Sequence, residues 1–297
     1  MTLVELRKQY SDEAKCRELL ARLRWPEGVI CPRCKSKTIS RLFTQSKYEC
    51  SECRYQFSVT AGTIFNDSHL PLETWFMAVL LLCEAKKGMS ACQVQRTLGI
   101  GSYKTAWYLC HRIRAAMVES QKPMLDGKVE MDETYIGGKN WHKGQEQRFA
   151  NKESVIGIRQ RGGDLRFFHA KDVKSGTLEQ YIRENISEDV EVLFTDDARA
   201  YRGAAMHLRK QGKHKTIRRK LHIYAKGDTY TNTVESAFSL LKRGIVGSWH
   251  KVSAKHLQSY CEEMAFRFNR RENSDLFVDT LRHMVTAPVL TFEKLTA

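Results

Sequence analysis

The sequence lacks any apolar run long enough to cross a membrane. Its longest, at 75–83, is nine residues, against the roughly 20 that a spanning helix needs, and it reads as a core helix. The first nine residues mix charged and apolar side chains with no apolar stretch leading to a small-residue cleavage site, so no secretory leader is expected and the chain is read as cytoplasmic and nucleoid-associated. Acidic residues are in short supply: 34 Asp and Glu face 49 Lys and Arg, a formal charge of +15. That excess favours a polyanionic partner, most often nucleic acid, because neutralising phosphates releases counterions. The nine cysteines cannot all pair, and in a reducing compartment they are expected free, buried or metal-bound. What is abundant is core material, 42% hydrophobic and 10% aromatic over 297 residues, enough for two or three compact units.

Four cysteines have metal-ligand spacing. Cys31-Pro-Arg-Cys34 and Cys50-Ser-Glu-Cys53 are two C-x2-C hooks separated by 15 residues, and the segment between can form a short hairpin that closes them around a tetrahedral ion. The expected ion is a structural Zn²⁺ on Cys31, Cys34, Cys50 and Cys53. Arg33, Lys35, Lys37, Arg41, Lys47 and Arg54 surround the hooks, either to touch phosphate or as a solvated face. The remaining five cysteines have no such spacing.

Beyond the ribbon, 72–87 reads as a buried helix ending at Gly88. A short helix over 91–98, capped by Ser90, is broken by Gly99 and Gly101, and a longer basic helix follows over 102–117. Short helix, glycine turn and basic helix form a helix-turn-helix pattern, with Lys104, Arg112 and Arg114 as candidate DNA contacts; a helical hairpin with a charged outer face fits the same pattern. From 128 the periodicity turns to strands, at 128–136, 154–160 and 165–170. A helix over 177–186 and a strand over 190–195 complete the series.

A three-strand meander followed by a helix crossing to a fourth strand is the order that opens a ribonuclease-H-like α/β fold. Asp132 falls within its first strand and Asp196 at the end of its fourth, where adjacent strands would hold both carboxylates toward one site. Alternation puts Asp196 with Val192 and Phe194, and Asp197 on the opposite side. Glu235 lies 39 residues beyond Asp196, at the start of a helix over 233–243. Lys242, seven residues on, shares its face, although Asn232 and Glu235 also fit a capping box.

Together with the ribbon, Met131-Asp-Glu-Thr-Tyr-Ile-Gly-Gly-Lys139, Thr195-Asp-Asp-Ala-Arg-Ala-Tyr201, Thr231-Asn-Thr-Val-Glu-Ser236 and Leu241-Lys-Arg-Gly244 make the chain similar to the zinc-ribbon DDE transposases of bacterial insertion sequences, relatives of the eukaryotic Merlin elements. His250-Lys-Val-Ser-Ala-Lys-His256 and Phe266-Arg-Phe-Asn-Arg-Arg271 extend the resemblance over about 25–271. It implies Asp132, Asp196 and Glu235 as a Mg²⁺ (or Mn²⁺) triad, with Asn232 the alternative third ligand and Lys242 a cation beside the DNA end. It also implies cutting and joining of the element's ends, recognition of terminal inverted repeats and target double-stranded DNA, and a homo-oligomer in the synaptic complex. The other readings are a DNA-binding regulator without catalysis and a nuclease or resolvase that hydrolyses without joining.

The organisation expected is an N-terminal helix at 1–24, a zinc ribbon at 25–68, a helical DNA-binding segment at 69–122 and a catalytic domain at 123–297. The run 199–220, with nine Lys or Arg and no acid, is expected to hold DNA through Arg218, Arg219 and Lys220. Arg243, Trp249, His250, Arg267, Arg270 and Arg271 are expected to extend that track, while Leu257, Tyr260, Cys261, Met264 and Phe268 form a core stripe.

Overall fold

The computed structural model describes residues 1–119, 121–137, 152–217 and 227–297. They form two compact units, Met1–Val118 with Glu272–Ala297, and Glu119–Arg271. The last helices therefore fold with the first unit, whereas the sequence reading kept them with the catalytic part. The reason is burial: Phe277, Leu281 and Met284 bury one face of α11 (Leu276–Thr286), and the rings of Phe277 and Phe76 meet edge to face at 5.7 Å.

In the first unit, α1 (Leu3–Gln9) opens with a capping box in which Thr2 and Glu5 satisfy each other's backbone N–H groups. Next comes α2 (Glu13–Arg24), which packs on α3 (Leu72–Glu84). Between them lies a three-stranded antiparallel sheet of β1 (Ile39–Leu42), β2 (Lys47–Cys50) and β3 (Gln56–Phe57). Trp25, Tyr48 and Phe57 pack against its cysteines. The glycine-broken pair is as expected from sequence: α4 (Ala91–Leu98) ends at Gly99 in the left-handed region, φ +66°, and the Ser102 hydroxyl accepts from the Thr105 N–H to start α5 (Tyr103–Ala116).

The second unit is a mixed α/β layer built on a five-stranded sheet. Its strands are β4 (Lys128–Ile136), β5 (Glu153–Gln160), β6 (Leu165–Ala170), β7 (Val192–Asp196) and β8 (His214–Ile217), in the order β6-β5-β4-β7-β8. The first three are an antiparallel meander, and β7 and β8 join in parallel. Alternation along β4 divides the sheet's two faces. Val129 and Met131 enter a core with α6 (Ser175–Asn185) and α7 (Arg199–Ala204). Ile136 enters a second core with α9 (Asn232–Gly244) and α10 (Ala254–Asn269).

The basic run is largely regular where it is described. It forms α7, α8 (Met206–Lys210) and edge strand β8, with Leu208 and Tyr201 buried and Arg199, Arg202, Arg209, Lys210 and Lys215 exposed. Arg218, Arg219 and Lys220 lie outside the described residues. The α10 stripe is core as expected. Arg267 and Trp249 are not solvent-facing cations or rings: Arg267 is 5% exposed and paired with Glu263 at 3.1 Å, and Trp249 packs on Tyr260 at 4.7 Å. Arg270 pairs with Glu119, while Arg271 is exposed over the Phe268 ring.

One glycine sets the spacing of the second face. Gly157 of β5 stands opposite Asp132, and a Cβ placed there would lie 2.7 Å from Phe238 Cζ and 2.9 Å from Val234 Cγ2, both on α9. The missing side chain is what lets that helix approach the strand pair. Gly157→Ala is expected to lower stability by about 1–3 kcal/mol, read as a lower urea midpoint at unchanged slope.

Candidate metal and carboxylate centres

The four hook cysteines converge. Their sulfurs all lie within 4.8 Å of one another, with Cys31 to Cys53 at 3.7 Å and Cys34 to Cys50 at 3.5 Å. A tetrahedral site with Zn–S bonds of about 2.3 Å spaces its sulfurs about 3.8 Å apart, so the cluster fits one zinc ion with no ligand position left for water. Both hooks use the same turn. Lys35 N–H returns to Cys31 C=O and Arg54 N–H to Cys50 C=O, and Lys35 and Arg54 take the left-handed conformation. At Cys31 burial raises the thiol's pKa, but the N–H groups of Cys34 and Arg33 outweigh it and hold it down at about 6. At Cys50 the Cys53 N–H acts the same way. Of the ribbon's basic side chains, Arg54 reaches Glu49 at 3.4 Å and Arg41 lies over the exposed Phe43 ring at 4.8 Å.

The carboxylates are organised by the sheet. β4 pairs with β7 through Glu130 and Phe194, and the same register carried two positions further puts Asp132 opposite Asp196, on one face of the sheet. Asp132 is 4% exposed. At the end of β7 the Asp196 carboxylate accepts the Ala198 N–H at 3.0 Å. A cavity of about 510 Å³ opens beside β4, lined by Asp132, Glu133, Thr134, Glu235, Phe238, Ser239, Lys242, Arg243 and Val246. The structure thus brings Asp132, Glu235, Lys242 and Arg243 to one cavity. Asp196 is not part of its lining, and among the described residues the three carboxylates do not close to the mutual distances of the thiolates. His250 is exposed beyond a π-helical turn at Ile245–Trp249 and does not line the cavity.

Two further residues bear on this centre. Tyr201 is fully buried and donates its hydroxyl to Glu133 at 2.6 Å. Burial raises its pKa far above the ordinary phenol value, and the charges of Glu133, Asp132 and Asp196 act in the same direction. It is therefore a fixed donor among those carboxylates. Glu133 and Tyr201 sit inside the sequence blocks 131–139 and 195–201, but only the chain fold pairs them.

The Asn232–Glu235 capping box does not form. Asn232 is an exposed residue of the helix's first turn, and Glu235 accepts the Thr231 hydroxyl at 3.0 Å. The cap comes from another element. Glu130, fully buried in β4, accepts the N–H groups of Thr233 and Val234 at 3.0 and 3.1 Å. Its other oxygen takes Arg161 Nε at 2.7 Å, and that guanidinium also donates to the carbonyls of Asp228 and Tyr230, both at 2.9 Å. A charge at a helix N-terminus is favourable, and here it holds the first turn of α9, including Glu235, on the strand that carries Asp132. Nothing in the local sequence signals a cap that lies about a hundred residues away.

In α5 the structure separates the expected DNA contacts. Lys104 is exposed, but Arg112 and Arg114 are 3% and 1% exposed and build the interior of the unit. Arg112 lies between the rings of Trp75 and Tyr108 and donates to the Asn66 carbonyl at 2.5 Å. Their burial corrects the reading of both as groove contacts.

Comparison with known proteins gives three matches. Residues 124–269 match the ISXO2-like transposase domain, and residues 11–56 match the transposase zinc-ribbon domain. Over 286 residues the chain is 27% identical to an uncharacterized protein in transposable element ISH50 from Halobacterium salinarum, covering 88% of this chain and 92% of that one.

Two outcomes are expected here. Glu130→Ala leaves the Arg161 guanidinium and two helix N–H groups without their carboxylate, and should cost about 3–5 kcal/mol in a denaturation series. Purified protein should hold one zinc per chain by elemental analysis, and Cys34→Ser should lose it.

Proposed function

Because the chain belongs to the ISXO2-like transposases with an N-terminal zinc ribbon, we propose that it binds the terminal inverted repeats of an insertion sequence and catalyses metal-dependent cleavage and strand transfer of its DNA ends. The observation that carries this reading is the cavity shared by Asp132, Glu235 and Lys242. The β4–β7 register, carried two positions on, sets Asp196 opposite Asp132 on the neighbouring strand, outside the cavity's lining. The sheet order, an antiparallel meander continued by parallel strands, supports a ribonuclease-H-like core.

The donors fit a hard cation: Asp132, Glu133 and Glu235 line the cavity with no thiol or imidazole, and Asp196 lies on the strand beside it. Asp132, Asp196 and Glu235 would hold Mg²⁺ or Mn²⁺, which when bound supplies charge stabilisation and an activated oxygen nucleophile for phosphoryl transfer. Glu235, and not Asn232, is taken as the third ligand, because its side chain lines the cavity. Tyr201 holds Glu133 away from free rotation at the rim of the same centre. Lys242 and Arg243, both exposed on the last turn of α9, give the cavity mouth the positive charge that a phosphate backbone requires. The exposed cations of 199–215 continue that sign beyond β7.

Asp132→Asn, Asp196→Asn and Glu235→Gln each remove one ligand charge at nearly constant volume. Each variant should retain binding to repeat DNA while Mg²⁺-dependent cleavage and joining fall by orders of magnitude, and Asp197→Asn should stay active. A gel assay with radiolabelled repeat ends and a target plasmid reads both steps. Full activity in Asp132→Asn overturns the transposase mechanism, whereas cleavage without joined product by wild-type protein favours a nuclease.

A further inference from the structure

The first unit carries a second cavity, of about 430 Å³, that the carboxylate chemistry does not use. One wall is a single face of α5: Lys104, Tyr108 and Arg112 recur every four residues, one helical turn apart. Phe292 of α12 (Phe292–Thr296) forms another wall, meeting the Tyr108 ring edge to face at 5.5 Å. Lys104 Nζ lies 4.2 Å from the Phe292 ring centroid at the exposed rim.

The third wall is the loop at 67–70, and it is braced before any ligand arrives. Trp75 Nε1 donates to Ser68 Oγ at 2.8 Å, the Asn66 amide donates to the Asp67 carboxylate at 2.7 Å, and Asp67 is held at φ +52°. A non-glycine residue there is strained, a cost that persists only where its surroundings fix it.

The cavity's lining holds two cations, Lys104 and Arg112, against one carboxylate, Asp67. Arg112 is 3% exposed, has no ion pair among the described residues, and makes one hydrogen bond, to the Asn66 carbonyl. Its Nε is buried without a hydrogen-bond partner among the described residues. Buried cations are ordinarily paired, and Arg112 makes no ion pair with the Asp67 carboxylate that lines the same cavity, so its guanidinium can take an acceptor from outside. Stacking surface, a buried donor and an exposed ammonium at the rim together match a base, its acceptor edge and its phosphate.

We propose that this cavity holds one unpaired nucleotide of the DNA the protein binds. The base stacks on Phe292 and meets the Tyr108 ring edge-on, a base carbonyl or ring nitrogen accepts from Arg112, and Lys104 takes the phosphate. The inference rests on the chain being a DNA-binding protein but not on its cleavage chemistry. The volume suits a single nucleotide, since small-ligand sites begin at about 300 Å³.

The test uses full-length protein and three duplexes of about 20 base pairs at low salt, where phosphate contacts alone give measurable binding. One is fully paired, one has a single bulged adenosine, and one has an abasic residue bulged at the same place, which bends the duplex but offers no base. Fluorescence anisotropy should give tighter binding to the adenosine bulge than to the abasic bulge by roughly 5- to 150-fold, the range for stacking one base. Arg112→Met and Phe292→Ala should bring that ratio close to one. Affinity of the variants for the paired duplex reports whether they are folded. Equal binding of the two bulges by wild-type protein overturns the inference, as does a ratio that survives in a folded variant. Failure to bind any of the three duplexes overturns the DNA-binding reading itself.

Discussion

A single buried carboxylate ties the second unit together. Glu130 is fully buried in a central strand, next to the strand that ends in Asp196, and a charge in that position is costly unless its lone pairs are used. Its oxygens are used by three donors from two elements: two backbone N–H groups of α9, and the Arg161 guanidinium at the end of β5. Arg161 then clamps the carbonyls of Asp228 and Tyr230 and stacks over the Tyr230 and Phe194 rings, at 3.7 and 4.2 Å. The segment leading into α9 thereby follows the sheet. The position of Glu235 relative to Asp132 depends on this network and on the bare backbone of Gly157, which admits Val234 and Phe238.

The first unit uses different devices. Its ribbon has a small core of Cys31, Cys50 and Phe57 with a few half-buried rings around it, too little to order a three-stranded sheet by apolar burial alone. A metal ion on the four sulfurs would supply the remainder, and the paired left-handed turns at Lys35 and Arg54 pre-set the sulfurs for it. The helices beside it are apolar on their facing sides and need no such clamp: Trp75, Phe76, Val79 and Leu82 of α3 are all buried. The cysteine cluster and the carboxylates thus sit in separate units, with soft ligands where an ion would be structural and hard ligands where phosphate chemistry is proposed.

Charge is likewise divided between surface and interior. The excess of basic residues suggests a uniformly cationic face, yet Arg112, Arg114, Arg166 and Arg267 are all buried. Arg166 holds Asn185 and the Pro123 carbonyl, Arg267 pairs along its own helix, and Arg112 is layered between aromatic rings. Among the described residues, the cations that line the carboxylate cavity are Lys242 and Arg243.

The sequence by itself determined whatever depends on spacing along the chain. The two hooks, the order of strands, the glycine between α4 and α5 and the α10 core stripe were legible because a turn, an alternation or a helical period is local. Asp132 and Asp196 were legible for the same reason, as strand positions of known parity. The tertiary structure alone decided which polar groups meet. The Asn232–Glu235 cap was locally plausible, but Glu130 occupies that role across the sheet, since a buried carboxylate gains more from two helix N–H groups and a guanidinium than an exposed asparagine does from one. Arg112 and Arg114 looked like groove contacts because helical periodicity cannot tell a cation that faces solvent from one layered between rings. Tyr201 and Glu133 likewise meet only once β4 and α7 pack, because their separation along the chain carries no period that would announce the contact.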